Sequence, residues 1–234
     1  MKTAVCFSDT CSSLSHTHEN IKSNILNPLG DVDLFFVGPP TAYSTGFLDF
    51  FSEYNIRNFT LEKPIPWDLR KYRFRPNWPH PTSSPLIFLQ MVHARYKLGL
   101  SLNSFVERYS VKYDRVIFSR LDLRFFHNIE SIFPPDQCQE NTIYIPDFHC
   151  FGATNDRFAC GDYNSMIKYL KLWDNLTPFM NAQGLLHAET SLHWHLSSQN
   201  LSTQKAHFRF SRVRSSGESI DERLRNKTLV DGDK

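Results

Sequence analysis

Lys112-Tyr-Asp-Arg-Val-Ile-Phe-Ser-Arg-Leu-Asp-Leu-Arg-Phe-Phe126 decides how the rest of the chain is read. Val116, Ile117 and Phe118 form a short β-prone apolar run, and a charged knot of Ser119, Arg120, Asp122 and Arg124 follows at once. A buried strand that ends in an acid flanked by two arginines is not built for packing alone. In open α/β sheets, ligands sit beyond the carboxyl ends of the strands. If the strand continues through the knot, positions 120, 122 and 124 share one face. A carboxylate placed there can ligate Mg2+ or Mn2+, and arginine forks match phosphate oxygens. An Asp–Arg ion pair at a sheet edge explains the same residues. Residue types alone leave the two open.

The elements around this strand describe an α/β chain. Thr3 to Phe7 reads as a first strand, and the polar turn of Ser8, Asp9, Thr10, Ser12 and Ser13 follows. A helix from His16 to Leu26, with Ser15 as N-cap, is stopped by Pro28 and Gly30. Asp33 to Val37 is a second strand, so the chain opens as nucleotide-binding α/β domains do. A short helix over Phe47 to Tyr54 and a strand over Ile56 to Leu61 come next. From Pro85, capped by Ser84, the apolar stripe Ile87, Met91, Ala94, Leu98, Leu102 and Phe105 predicts a helix lying on a sheet, weakened locally by Gly99. Later elements are a strand over Thr142 to Ile145, helices over Tyr163 to Leu172 and Leu185 to Leu196, and a last strand over Ala206 to Val213.

The totals exclude several classes. Of 234 residues, 41% are apolar and 20 are Phe, enough for an aromatic-rich core. Lys plus Arg total 26 against 24 acids, so the net charge of +2 gives no global attraction to nucleic acid or anionic membrane. The five cysteines, Cys6, Cys11, Cys138, Cys150 and Cys160, contain no C-x-x-C pair and read as reduced, mostly buried thiols. No transmembrane run or signal peptide is legible, which points to the cytoplasm, or to the host cytoplasm if the chain is viral. No G-x-G-x-x-G, Walker A or G-x-S-x-G motif occurs.

Three further constellations carry candidate chemistry. In Asn155-Asp156-Arg157-Phe158-Ala159-Cys160-Gly161-Asp162, a loop acid beside apolar residues can act as a base, whereas Asp162 is better placed to cap the next helix. In His187-Ala-Glu-Thr-Ser-Leu-His-Trp-His195, Glu189 and His193 share a helical face, but the spacing is not that of a zinc protease. In the proline-rich loop from Trp67 to His80, arginines alternate with aromatics, a combination that can hold single-stranded nucleic acid, stack on sugar rings or simply pack.

The chain resembles a group of small GT-A-like glycosyltransferases from bacteria, algae and large algal viruses. Four segments carry the likeness over about residues 3 to 210. They are Ala4-Val-Cys-Phe-Ser8 with Asn27-Pro28-Leu29, Tyr113 to Leu123, Asn155 to Gly161, and His187-Ala188-Glu189 with His195-Leu196. Ser8-Asp9-Thr10-Cys11, Phe118 and Leu121 depart from the family pattern. The resemblance implies an α/β, GT-A-like domain over residues 1–214, with a mixed, mainly parallel sheet flanked by helices, and a polar tail over 215–234. It implies a nucleotide-diphosphate sugar donor and a glycan or glycoconjugate acceptor, with no nucleic acid and no membrane span.

Within that resemblance, Ser8, Asp9, Arg120 and Arg73 contact the donor diphosphate. Asp122 is the acid of a metal site for Mn2+ or Mg2+, with His207 as a late-strand ligand. Asp156 is the base that deprotonates the acceptor, and Glu189 is the alternative. Two other functions fit the residues: a non-catalytic carbohydrate- or nucleotide-binding module on the same fold, and a nucleic-acid-binding domain that uses the 67–80 loop.

Overall fold

Strand β1 (Thr3–Phe7) is buried along its whole length because it has a parallel neighbour on each side, β2 (Val32–Gly38) and β4 (Arg115–Ser119). The computed structural model describes residues 1–74, 83–133, 138–151 and 153–220. Cys6 lies between Phe35 of β2 and Phe118 of β4. Strand β3 (Asn55–Leu61) extends the sheet beyond β2 in parallel. On the other side, β7 (Phe158–Gly161) runs antiparallel to β4 and β6 (Thr142–Pro146) antiparallel to β7, while β8 (Ser202–Ala206) is parallel to β6. The order is β3-β2-β1-β4-β7-β6-β8, the mixed and mainly parallel sheet expected from the sequence.

Side chains alternate across the strands and supply two cores. Ala4, Cys6, Phe35, Val116 and Phe118 face helices α4 (Ser83–Tyr109), α5 (Tyr163–Leu170), α6 (Leu176–Gln183) and α7 (Ala188–Ser198). Val5, Phe7, Leu34, Phe36 and Ile117 face α1 (Leu14–Ile21) and α3 (Gly46–Phe50). Helix α1 starts two residues earlier than expected, and Ser13 rather than Ser15 sits at its N-terminal boundary. It continues through a π-helical turn, Lys22–Leu26, into α2 (Asn27–Leu29), and Gly30 then takes a φ of 71°.

The structure corrects the reading of one strand through residue 124. Strand β4 ends at Ser119, and β5 (Leu123–Phe125) belongs to a second, three-stranded sheet with β9 (Phe210–Val213) and β10 (Ser219–Ile220). Residues 120–122 form the turn between the two sheets, so 120, 122 and 124 do not share a strand face. Arg124 points away and donates from Nη2 to the His16 carbonyl at 3.4 Å. The expected last strand is likewise two, β8 and β9. Phe125, Phe133, Phe158, Phe208 and Phe210 pack where the sheets meet, which accounts for much of the phenylalanine excess.

Helix α4 divides the stripe read from the sequence. Leu98 and Leu102 are fully buried against the sheet. Ile87, Met91 and Ala94, one turn after another, line an open cavity instead. Gly99 serves packing: a Cβ there would lie 2.9 Å from Leu170 Cβ, so its absence lets α4 and α5 approach closely. Asp162 caps α5 by accepting from the Ser165 amide at 3.1 Å.

Candidate active site

The order of strands reverses direction at β1, whose connections lead to β2 on one side and eventually to β4 on the other. Such a switch point leaves a crevice beyond the carboxyl ends of the strands. Ser8 and Asp9 leave β1 there, and Arg120 and Asp122 leave β4. Asp9 ties the two ends together. Its Oδ1 accepts from the Thr10 amide at 2.6 Å, and its Oδ2 accepts from the amides of Leu121 at 3.2 Å and Asp122 at 3.3 Å. Gly38, at the end of β2, makes room for this arrangement, since a Cβ on it would sit 2.3 Å from the Asp9 carbonyl oxygen.

Asp122 is held by two arginines. Arg120 makes a bidentate fork, with Nε donating to Oδ1 at 2.8 Å and Nη2 to Oδ2 at 2.6 Å. Arg212, reaching in from β9, donates from Nε to Oδ2 at 3.3 Å. All three side chains are at most 18% exposed, so solvent screens the charges weakly. Burial pushes the Asp122 carboxyl up, but Arg120, Arg212 and Arg157 outweigh it and hold it below the usual carboxylate range. Asp9 is pushed the other way, by burial and by the Asp122 charge beside it.

These groups form one wall of a cavity of about 320 Å3, a size suited to a small-molecule ligand. Residues of the 62–67 segment, the Ile87–Ala94 part of α4 and exposed Arg214 line it too. Trp67 and His93 line it as well and cluster with Trp173 in edge-to-face and tilted contacts, at centroid separations of 4.7 to 5.5 Å. The Trp67 Nε1–H is buried and has no hydrogen-bond partner among the described residues. Burial lowers the His93 pKa and so favours a neutral ring.

The remaining sequence candidates divide into near and far. Asp156 is 7% exposed on the loop leading into β7, and that loop is bonded to the site because the Arg120 amide donates to the Arg157 carbonyl at 3.2 Å. Buried Arg95 braces the loop by donating to the Asp156 carbonyl at 2.7 Å while its guanidinium lies over Phe118 and Tyr169. Asn155 is occupied in shaping the loop, bonding the Phe148 carbonyl and the Arg157 amide. Glu189 is buried at the start of α7 beside His187, at 3.3 Å, one turn before His193, whose ring meets Thr154 at 3.2 Å. The 154–157 loop and the start of α7 are thus neighbours, although neither Asp156 nor Glu189 lines the cavity as it stands.

Arg73 is not brought to the cavity. Its Nη2 donates to the Met180 carbonyl near the end of α6, which holds it on the α6 side of the molecule. His207 is 68% exposed and pairs with Asp147 at 3.3 Å, beyond the end of the β5–β9 ribbon opposite Asp122. Residues 75–80 of the 67–80 loop lie outside the described residues.

The divalent cation implied by the GT-A resemblance does not fit this donor set. Both Asp122 oxygens accept from guanidinium groups, Asp9 Oδ2 accepts from two backbone amides, and His207 is elsewhere. Among the described residues no group of three or more His, Cys, Asp or Glu is arranged to hold a metal. Sequence reasoning also missed Arg212, Arg214, Lys63 and Arg95. The alternation Arg212-Val-Arg214 at the end of an aromatic strand was a visible signal for the first two. Nothing local distinguished Arg95 from an ordinary exposed helical arginine.

Comparison with solved structures places the fold. The galactosyltransferase LgtC, solved with donor and acceptor sugar analogs, superposes with a TM-score of 0.50 at 11% identity, over 87% of this chain and 73% of that one. The apo-form glycosyltransferase GlyE of Streptococcus pneumoniae TIGR4 gives 0.48 at 12% identity, over 88% of this chain and 45% of GlyE, so the chain spans under half of that protein. Mouse xyloside xylosyltransferase 1 gives 0.47 at 13% identity, over 88% and 85%. No curated protein sequence matches. The α/β architecture is of the GT-A glycosyltransferase type. A family model described as domain of unknown function DUF7796 matches residues 1–217, and the chain belongs to that family.

Proposed function

We propose that this chain is a glycosyltransferase, moving a sugar from a nucleotide-diphosphate sugar to a hydroxyl of a glycan or glycoconjugate. The observation that carries the reading is the position of the cavity: it lies at the switch point of a GT-A-type sheet and is lined by arginines from two separate segments, the turn after β4 and the end of β9. Residues 1–214 form the transferase domain in this reading, although the hairpin to β10 adds residues up to Ile220 to the packed structure.

The chemistry follows from charge. The acceptor oxygen forms a bond to the anomeric carbon as the bond from that carbon to the diphosphate oxygen breaks, and the electron pair leaves on the diphosphate. Cations fixed beside that oxygen lower the barrier because they stabilise charge that grows only as the bond breaks. Arg120 and Arg212 hold fixed positions there through Asp122. The acceptor proton goes to a carboxylate within about 3 Å of the hydroxyl in the bound complex. Asp156 fills that role, since its loop is bonded to Arg120 through the backbone. Glu189, on the neighbouring helix, is the alternative base. Trp67 and His93, which line the same cavity, are the aromatic residues nearest to hand for a sugar or base ring.

The test is a panel of nucleotide sugars assayed for release of the nucleoside diphosphate, with and without glycan acceptors. Asp156→Asn is expected to lower turnover by about 10^2- to 10^4-fold and to leave nucleoside-diphosphate affinity within about threefold. Donor binding with no release in the wild-type protein would favour a non-catalytic binding module instead.

A further inference from the structure

We infer that this chain neutralises the donor diphosphate with its own cationic side chains and not with a divalent cation, Lys63, Arg212 and Arg214 facing the phosphates. The inference rests on the donor-site reading above. In it, Asp122 is the acid that spaces and orients Arg120 and Arg212 and is not a metal ligand.

Three observations support it. The first is the occupancy of Asp122. A Mg2+ or Mn2+ ligand oxygen must approach its ion to about 2.1 Å. Oδ2 already accepts from Arg120 at 2.6 Å and Arg212 at 3.3 Å. A dication on that oxygen would sit beside two guanidiniums in a weakly screened site, where like charges repel strongly.

The second is the occupancy of Asp9, the acid beside Asp122. Its Oδ2 accepts from the amides of Leu121 and Asp122. Recruiting it to a metal would leave those two N–H groups unpaired and undo the turn that carries Arg120.

The third is the surplus of positive charge. Lys63 follows β3 and Arg214 follows β9, and both exposed residues line the cavity from separate segments. With Arg120 and Arg212, they give four cations against the three acids Asp9, Glu62 and Asp122. Two of those acids already face Arg120. The remaining positive charge suits a phosphate chain, and the arginine forks suit its oxygens.

The experiment is calorimetric titration of the full chain with uridine, guanosine, adenosine and cytidine diphosphates, in EDTA and again with Mn2+ or Mg2+ added. At least one diphosphate is expected to bind in EDTA with a Kd within about threefold of its value with metal. Lys63→Gln and Arg214→Gln are each expected to weaken binding in EDTA by about tenfold, the usual scale for a charge-assisted hydrogen bond. Both side chains are exposed, so these variants keep the fold, and thermal unfolding checks that. Binding that appears only with metal would overturn the inference while keeping the donor-site reading. So would binding in EDTA that neither substitution weakens. If no diphosphate bound in either buffer, the donor-site reading itself would fall, and the inference with it.

Discussion

Asp122→Asn separates the two roles that an acid at this position can have. The substitution keeps the shape and one acceptor oxygen but removes the charge that holds Arg120 and Arg212 together. Breaking a buried ion pair by neutralising one partner costs about 3–5 kcal/mol, because the other charge stays behind. Here the two arginines are 14% and 18% exposed, and Asp9 still faces Arg120 at 3.8 Å. Both facts point to the lower end, about 3 kcal/mol. For a chain of this size that lowers Tm by about 6–12 °C.

The pH dependence has a definite sign. The folded Asp122 pKa lies below its unfolded value of about 3.9. Its contribution is therefore complete above that value and is lost as pH falls through the lower folded value. The stability gap between wild type and variant should hold from neutral pH down to about pH 5 and narrow below that. Urea unfolding at a series of pH values measures the gap, and titration with a nucleoside diphosphate in EDTA measures the ligand effect. Freed from Asp122, both arginines gain positive field towards the cavity, so diphosphate affinity should hold or rise. A Tm change under 2 °C at pH 7, or a large loss of diphosphate affinity in a folded variant, would refute the reasoning.

Other perturbations test other parts of the structure. Gly38→Ala sets a Cβ against the Asp9 carbonyl, and backbone must move to admit it; we expect a loss of about 1–3 kcal/mol in denaturant unfolding, together with weaker diphosphate binding by calorimetry. Gly99→Ala gains about 1 kcal/mol of helix propensity but overpacks against Leu170 Cβ at 2.9 Å, which costs about 1–3 kcal/mol; the net change in Tm should be downward, with ligand affinity unchanged. Asp33 is fully buried near the start of β2, where Lys2, Arg57 and the Tyr113 hydroxyl bind it at 2.6 to 3.0 Å. Asp33→Asn should destabilise by about 3 kcal/mol with no effect on diphosphate Kd, because the far end of the strand holds the site.

The amino-acid sequence by itself determined the sheet centre and pointed to the carboxyl-end crevice that Ser8, Asp9, Arg120 and Asp122 line. Ala4–Phe7, Leu34–Val37 and Val116–Phe118 are continuous apolar runs, the pattern of strands buried on both faces. The polar residues that follow two of those runs, Ser8-Asp9 and Arg120-Leu-Asp122, marked the carboxyl ends where ligands collect. The Asp162 cap was legible because capping is a contact over three residues.

What escaped the sequence depended on distant partners. Strand β7 has four residues with no alternation, since both its neighbours bury it, and periodicity has nothing to report over so short a run. The stripe of α4 looked uniform, but only the fold decided that Leu98 meets the sheet while Met91 meets a cavity. Residue types left Asp122 open between ligand site and ion pair. Tertiary structure decided its contacts by bringing Arg212 across from residue 212 to 3.3 Å and by setting Asp9 beneath the turn. A carboxylate's role is fixed by the charges that surround it, and for Asp122 two of those charges, Arg212 and Asp9, come from segments 90 and 113 residues away along the chain.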